Sequence, residues 1–186
     1  GYILNGVKID AGTAGTCSDN GTSCAMAPPM QGNWSIEALG QTSFNFGDDA
    51  NHAHVQPTGA YHYHGIPEGF VSKLDKGVAM THIGWAADGF PIYARYGYSD
   101  AMDTNSEIVT IQSSYKLKTT PEPNRADVSM YPMGTFTQDY EFIDGSGHLA
   151  ACNGRTGVTP EFPQGIYHYF ATDMFPFLQR CVNGAL

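Results

Sequence analysis

The chain has 186 residues, a length that suits one domain burying roughly 70% of its unfolded surface. Nine lysines and arginines against 18 acidic residues give a formal charge of −9, which argues against nucleic acid and anionic membranes as partners, since both need a cationic footprint. No window sustains the roughly 18 or more apolar residues of a membrane span.

The chain opens at Gly1 with no positively charged flank and apolar run, so a signal peptide is expected to be already removed or missing from this sequence. Residues 2–9 read as a strand, and an irregular stretch follows to residue 35. Residues 35–40 can hold a short helix. Segments 41–49 ("QTSFNFGDD") and 52–64 alternate like strands. Residues 78–97 mix apolar runs with glycine and proline, which predicts buried strands joined by tight turns. Residues 107–118 are the clearest strand or strand pair. Three prolines make 121–132 a long loop, and a second short helix is possible over 171–179, interrupted by Pro176. The expected class is mainly β: a single-domain antiparallel β-sandwich or barrel-like sheet with long loops and few short helices.

The four cysteines fit an oxidising compartment, so a secreted, periplasmic or cell-surface protein is expected. Three pairings are open. Cys17–Cys24 and Cys152–Cys181 are favoured, as a loop clip and a clasp on the C-terminal segment. No CxxC pair is present to build a zinc Cys₄ site.

The chain echoes itself. "PTGAYHYHG" (57–65) returns as "PQGIYHYFA" (163–171), and "ADGFPI" (87–92) resembles "TDMFPF" (172–177). The echo suggests two similar corners of a pseudo-symmetric sheet. The blocks "TGAYHYHGIP", "HIGWAADGFPIYARYG", "CNGR" and "GIYHYFATDMFPFLQRC", in that order, resemble the YHYH-domain proteins over about residues 50–182. By that resemblance the tetrad falls on Tyr61, His62, Tyr63 and His64, and the other blocks on Asp88 to Pro91, Cys152 to Gly154 and Tyr167 to Cys181. Where family members carry acids before the Cys-Asn-Gly, this chain has Ala150 and Ala151. The resemblance implies a secreted protein and carries no settled reaction with it.

"NHAHVQPTGAYHYHG" (51–65) concentrates four of the seven histidines. Strand residues i and i+2 share a face roughly 6.5 Å apart, so His62 and His64 point one way and Tyr61 and Tyr63 the other. His52 and His54 form a second pair, separated from the first by turn chemistry. If the segments make a hairpin, an odd loop brings both pairs to one face and an even loop sends them to opposite faces. Converging imidazoles suit a transition metal, copper or zinc above others, at a reach of ~2.0–2.1 Å. His82 is a further candidate ligand, and Asp88 a ligand or an orienter of one. Tyr61 and Tyr63 are candidates for proton transfer alongside histidine, and otherwise core residues with a bonded hydroxyl. His148 reads as a loop surface residue. Met26, Met30, Met130 and Met133 offer soft sulfur for Cu(I), or plain packing.

Three functions follow. The first is a secreted transition-metal protein, with a metal-dependent hydrolase or lyase as its catalytic form. The second is a non-catalytic binding module for a glycan, peptide or cell-envelope partner, favoured by exposure of Trp34, Trp85 or Tyr98. The third is a metal-free Tyr/His lyase or hydrolase, favoured by Arg95 or Arg155 beside His62.

Overall fold

Residues 1–185, which the computed structural model describes, form fifteen short strands and one α-helix. In order these are β1 (Tyr2–Ile3), β2 (Lys8–Ile9), β3 (Thr16–Cys17), β4 (Cys24–Ala25), β5 (Trp34–Ser35), β6 (Ala53–Val55), β7 (Tyr61–Tyr63) and α1 (Glu68–Leu74). There follow β8 (Thr81–Trp85), β9 (Pro91–Ala94), β10 (Tyr96–Tyr98), β11 (Ile108–Thr110), β12 (Tyr115–Leu117), β13 (Tyr140–Phe142), β14 (Gly154–Gly157) and β15 (Ile166–Ala171). The mainly-β class with few short helices is therefore what the chain adopts.

Eight strands make one sheet in the order β14-β15-β9-β8-β1-β2-β7-β6. The sheet is mixed, because β2–β7 and β9–β15 pair in parallel while its other pairings are antiparallel. Smaller sheets, β3 with β4 and β5, β10 with β11, and β12 with β13, lie outside it. Segment 107–118 thus yields two strands that pair with different partners rather than with each other.

Two Asx-Gly dipeptides explain the order. Asn5-Gly6 and Asp88-Gly89 close tight turns, with Ile3 N donating to Val7 O and Ala86 N to Phe90 O, both at 2.9 Å. Gly6 and Gly89 sit at φ +85° and +81°, where a side chain is disfavoured. Residues 2–9 are consequently a hairpin and not one strand, since an Asn-Gly pair between short apolar runs is a strong turn signal. Each hairpin then takes a later strand in parallel and a further one antiparallel. The two four-stranded halves meet at the antiparallel β1–β8 pair.

The halves agree in detail. Asn5 Nδ2 donates to Tyr63 OH at 2.9 Å, and Tyr169 OH donates to Asp88 Oδ2 at 2.5 Å. His52 and Asn153 both have φ +57°. Their loops share bonds too: Asp49 N to Ala53 O (2.8 Å) answers Ala150 N to Gly154 O (2.9 Å). The expected pseudo-symmetry is present, with one correction. The counterpart of 87–92 is 4–9, while 172–177 follows β15 and belongs to neither hairpin.

Ile3, Ile9, Tyr63, Ile92 and Tyr169 line one face of the sheet, and Phe70, Val71 and Leu74 of α1 pack against them. This helix was not foreseen. Its signals were a proline at its start, Glu68 in the first turn, Lys73 in the last and apolar residues at i, i+1 and i+4. Neither anticipated helix forms. Residues 35–37 are drawn out by pairing with 135 and 136, and Phe177 at φ +61° beside Pro176 breaks the C-terminal segment. Residues 41–49 are irregular, because the Gln41 side chain takes up Ser43 N, Phe44 N and two carbonyls that a ladder would use.

The loops are held by side chains. Both disulfides join as favoured, Cys17–Cys24 and Cys152–Cys181. Loop 121–132 is pinned by the fully buried Arg125, which bonds both oxygens of Asp139 (2.6 and 2.7 Å) and the carbonyls of Ala126, Tyr131 and Pro132.

Candidate metal centre

The β6–β7 connection runs over 56–60, five residues. It is odd, and His54 stands directly opposite His62. His64 leaves the end of β7 on the same face, its N–H donating to His52 O at 2.7 Å. His62 Nε2 and His64 Nε2 are 2.9 Å apart, and His64 Nε2 and His54 Nε2 3.3 Å. Three ligands at tetrahedral angles around one metal stand about 3.3 Å from each other. Two of the three pairs are therefore near the spacing of a coordination face, and one ligand nitrogen from each ring lies within 4.8 Å of the others.

Around them the supports differ. Asp48 Oδ1 accepts from His54 Nδ1 at 2.7 Å, which leaves the Nε2 lone pair of His54 facing its two neighbours. Phe46 stacks on the His54 ring, at 6.2 Å between ring centres. Burial, then the neighbouring His62 and His54, pushes His64 down to about 4, and burial lowers His62 as well. Both shifts favour the neutral ring, the state in which imidazole binds metal. The cluster opens to a cleft of about 780 Å³ whose walls include Thr13, Met26, Pro28, Phe46, Val55 and Gln56.

Other candidates lie elsewhere. His52, turned by its left-handed backbone, puts Nδ1 on Ile66 O at 2.8 Å. His82 sits on β8, three strands from β7, with Nε2 on Gly84 O at 2.9 Å. Asp88 closes a turn in the other half. Burial works against its ionisation, but bonds from Tyr169 OH and the N–H groups of Gly184 and Asn183 hold its carboxyl below the usual range. Tyr61 and Tyr63 face away from the imidazoles, as parity requires. Tyr61 OH donates to Asp49 Oδ2 at 2.6 Å, and burial with that carboxylate raises its phenol to about 12.

Arg95 is bound to Glu68 and Asp173. Arg155 lies on β14, six strand spacings or roughly 29 Å from β7. Neither arginine accompanies His62. His148 is half-buried rather than a free surface residue, its Nδ1 accepting from Gln112 N at 2.9 Å. Of the methionines considered, Met26 lines the cleft, while Met30 and Met130 are 65% and 57% exposed. Sequence reasoning missed Asp48 as the partner of His54. An acid six residues before His54, across a tight turn, was the available signal.

Three inward imidazoles on a sheet edge, with a carboxylate behind one and a cleft in front, define a histidine site able to chelate a metal ion. The chain belongs to the YHYH protein family, whose model matches residues 1–184. The match reaches further than the 50–182 likeness, and takes in the β1–β2 hairpin that completes the first half. No match is found among curated proteins or solved structures.

Proposed function

We propose that this chain is a secreted transition-metal protein in which His54, His62 and His64 hold one copper or zinc ion facing a substrate-sized cleft. The carrying observation is the convergence of the three imidazoles, with one ligand nitrogen from each within 4.8 Å of the others and two Nε2 pairs at 2.9 and 3.3 Å. Two disulfides support the extracellular assignment. A metal with three protein ligands and an open position polarises a substrate oxygen or water, so hydrolysis or elimination is the chemistry that suits the site. The chain's own part is to disfavour protonation of His62 and His64 by burial, to fix the His54 tautomer through Asp48 and to shape the cleft. A metal-free Tyr/His mechanism is disfavoured, because both tyrosines lie on the far side of the sheet.

Elemental analysis of untagged protein tests this. One equivalent of metal is expected after copper or zinc addition and desalting, falling to near zero in His62→Ala or His64→Ala and unchanged in His148→Ala. A folded parent that retains no metal would refute the assignment.

A further inference from the structure

The Cα registers of five strands align one row of residues across the sheet: Trp85, Tyr2, Lys8, His62, His54. Directly paired residues share a face, so all five side chains stand on the side that bears the metal centre. At the strand spacing, Trp85 lies roughly 14 Å from His62 along this row. The row begins in the open. Trp85 is 40% exposed and Tyr2 60%, although they occupy the two central strands, and Leu4 just beyond β1 is 50% exposed.

The indole is also supported. His82 packs against it at 4.7 Å and Phe162 at 6.4 Å, both in T-shaped contacts. This gives His82 a structural task and explains its place in a strongly patterned block. Between the aromatics and the imidazoles, Lys8 and Asp10 form a half-exposed ion pair at 3.0 Å. Asp10 and the row residues His62 and His54 line the cleft, so the row ends at its wall.

We propose that Trp85 and Tyr2 form a platform for a neutral oligosaccharide chain, which crosses Lys8 and Asp10 and reaches the cleft at His62. Flat, exposed aromatic rings meet the C–H faces of pyranose rings, and the paired lysine and aspartate offer donors and acceptors to hydroxyls. The local charges cancel and the chain is acidic overall, which favours a neutral glycan over a polyanionic one. An extended peptide is the weaker occupant. The platform stands on interior strands whose backbone groups are engaged on both sides, so at the platform itself a peptide finds no edge for strand addition; the sheet's edges are β14 and β6.

This names the substrate class for the site proposed above and rests on that function only for what happens at the cleft end. Binding is therefore measured on metal-free protein, with cellohexaose, chitohexaose and mannohexaose, by calorimetry and by tryptophan emission. Trp34 is 8% exposed, so an emission change reports Trp85. At least one hexasaccharide is expected to bind, and to bind more tightly than its disaccharide. Trp85→Ala should weaken binding about tenfold or more, Trp85→Phe less, and Tyr2→Ala to an intermediate degree, with thermal midpoints showing each variant folded. His62→Ala should lose metal, whereas His148→Ala, outside both the row and the cleft lining, should keep the glycan affinity of the parent. The proposal is overturned if no hexasaccharide binds, if length has no effect, if folded Trp85→Ala binds like the parent, or if reduced, carboxymethylated casein binds as well as the glycans. Glycan binding by a parent that takes up no metal would remove the metal function and leave the platform standing.

Discussion

The internal symmetry makes a demanding prediction. His54 opposite His62 in the first half corresponds to Arg155 opposite His168 in the second, and His64 corresponds to Phe170. Replacing both residues, Arg155→His with Phe170→His, should build a second three-histidine site on the same backbone. Phe170 is fully buried and lies under the Arg155 guanidinium, 5.5 Å from its ring centre. Removing a buried aromatic costs about 3–5 kcal/mol when truncated to alanine, and histidine, which keeps part of the ring, should cost somewhat less. The metal-free variant should therefore melt well below the parent. Added metal should restore about 2.7 kcal/mol once its free concentration is a hundred times the dissociation constant. The new site will be the weaker one. Asp49 corresponds to Ala150 through the shared loop bonds, so the place of Asp48 is taken by Leu149, and the loss of such an orienting carboxylate typically lowers affinity about 10–100-fold. Titration followed by elemental analysis should show two equivalents, the second in that weaker range. A folded variant that stops at one equivalent under excess metal would refute the structural equivalence of the two halves.

Two further tests concern the buried polar groups. His168 is held at about 4 chiefly by burial, with Arg155 beside it lowering it further. A folded-state value below the unfolded 6.5 means that the unfolded chain takes the proton first, so stability is full above about pH 6.5 and declines as pH falls towards 4. The shift corresponds to at most about 3 kcal/mol, readable in urea titrations of metal-free protein at pH 7 and 4.5, and a flat profile would refute it. Arg125→Ala should cost about 3–5 kcal/mol by stranding the buried Asp139 carboxylate and should release loop 121–132 to proteolysis; wild-type urea midpoints and cleavage would contradict that role.

What could be read in the sequence was what alternates. His62, His64 and the opposite-facing Tyr61 and Tyr63 follow from strand parity, and His54 joins them because its loop is odd. His52 has the same spacing as His54 but a left-handed backbone, which no alternation rule reveals. His82 carried a strong motif and lay on the correct face. Its distance from the site depends on sheet order, which is set by long-range pairing. The same limit hid the repeat. "YHYH" and "YHYF" were visible as an echo, yet the matching hairpins "NGVKI" and "DGFPI" share only glycine and isoleucine, and their equivalence rests on backbone bonds.

The comparison of halves suggests why the site is asymmetric. Tyr63 and Tyr169 make the same core contact, each tied to the Asx residue of its hairpin, so the tyrosines hold the scaffold in both halves. The positions on the opposite face are free of that duty. In one half they carry three imidazoles beside a cleft. In the other, Arg155 and Phe170 close over His168 as part of a second core with Tyr93, Ile111 and Leu149. The alternating tyrosines thus specify the fold, and the residues between them are left to specify the chemistry.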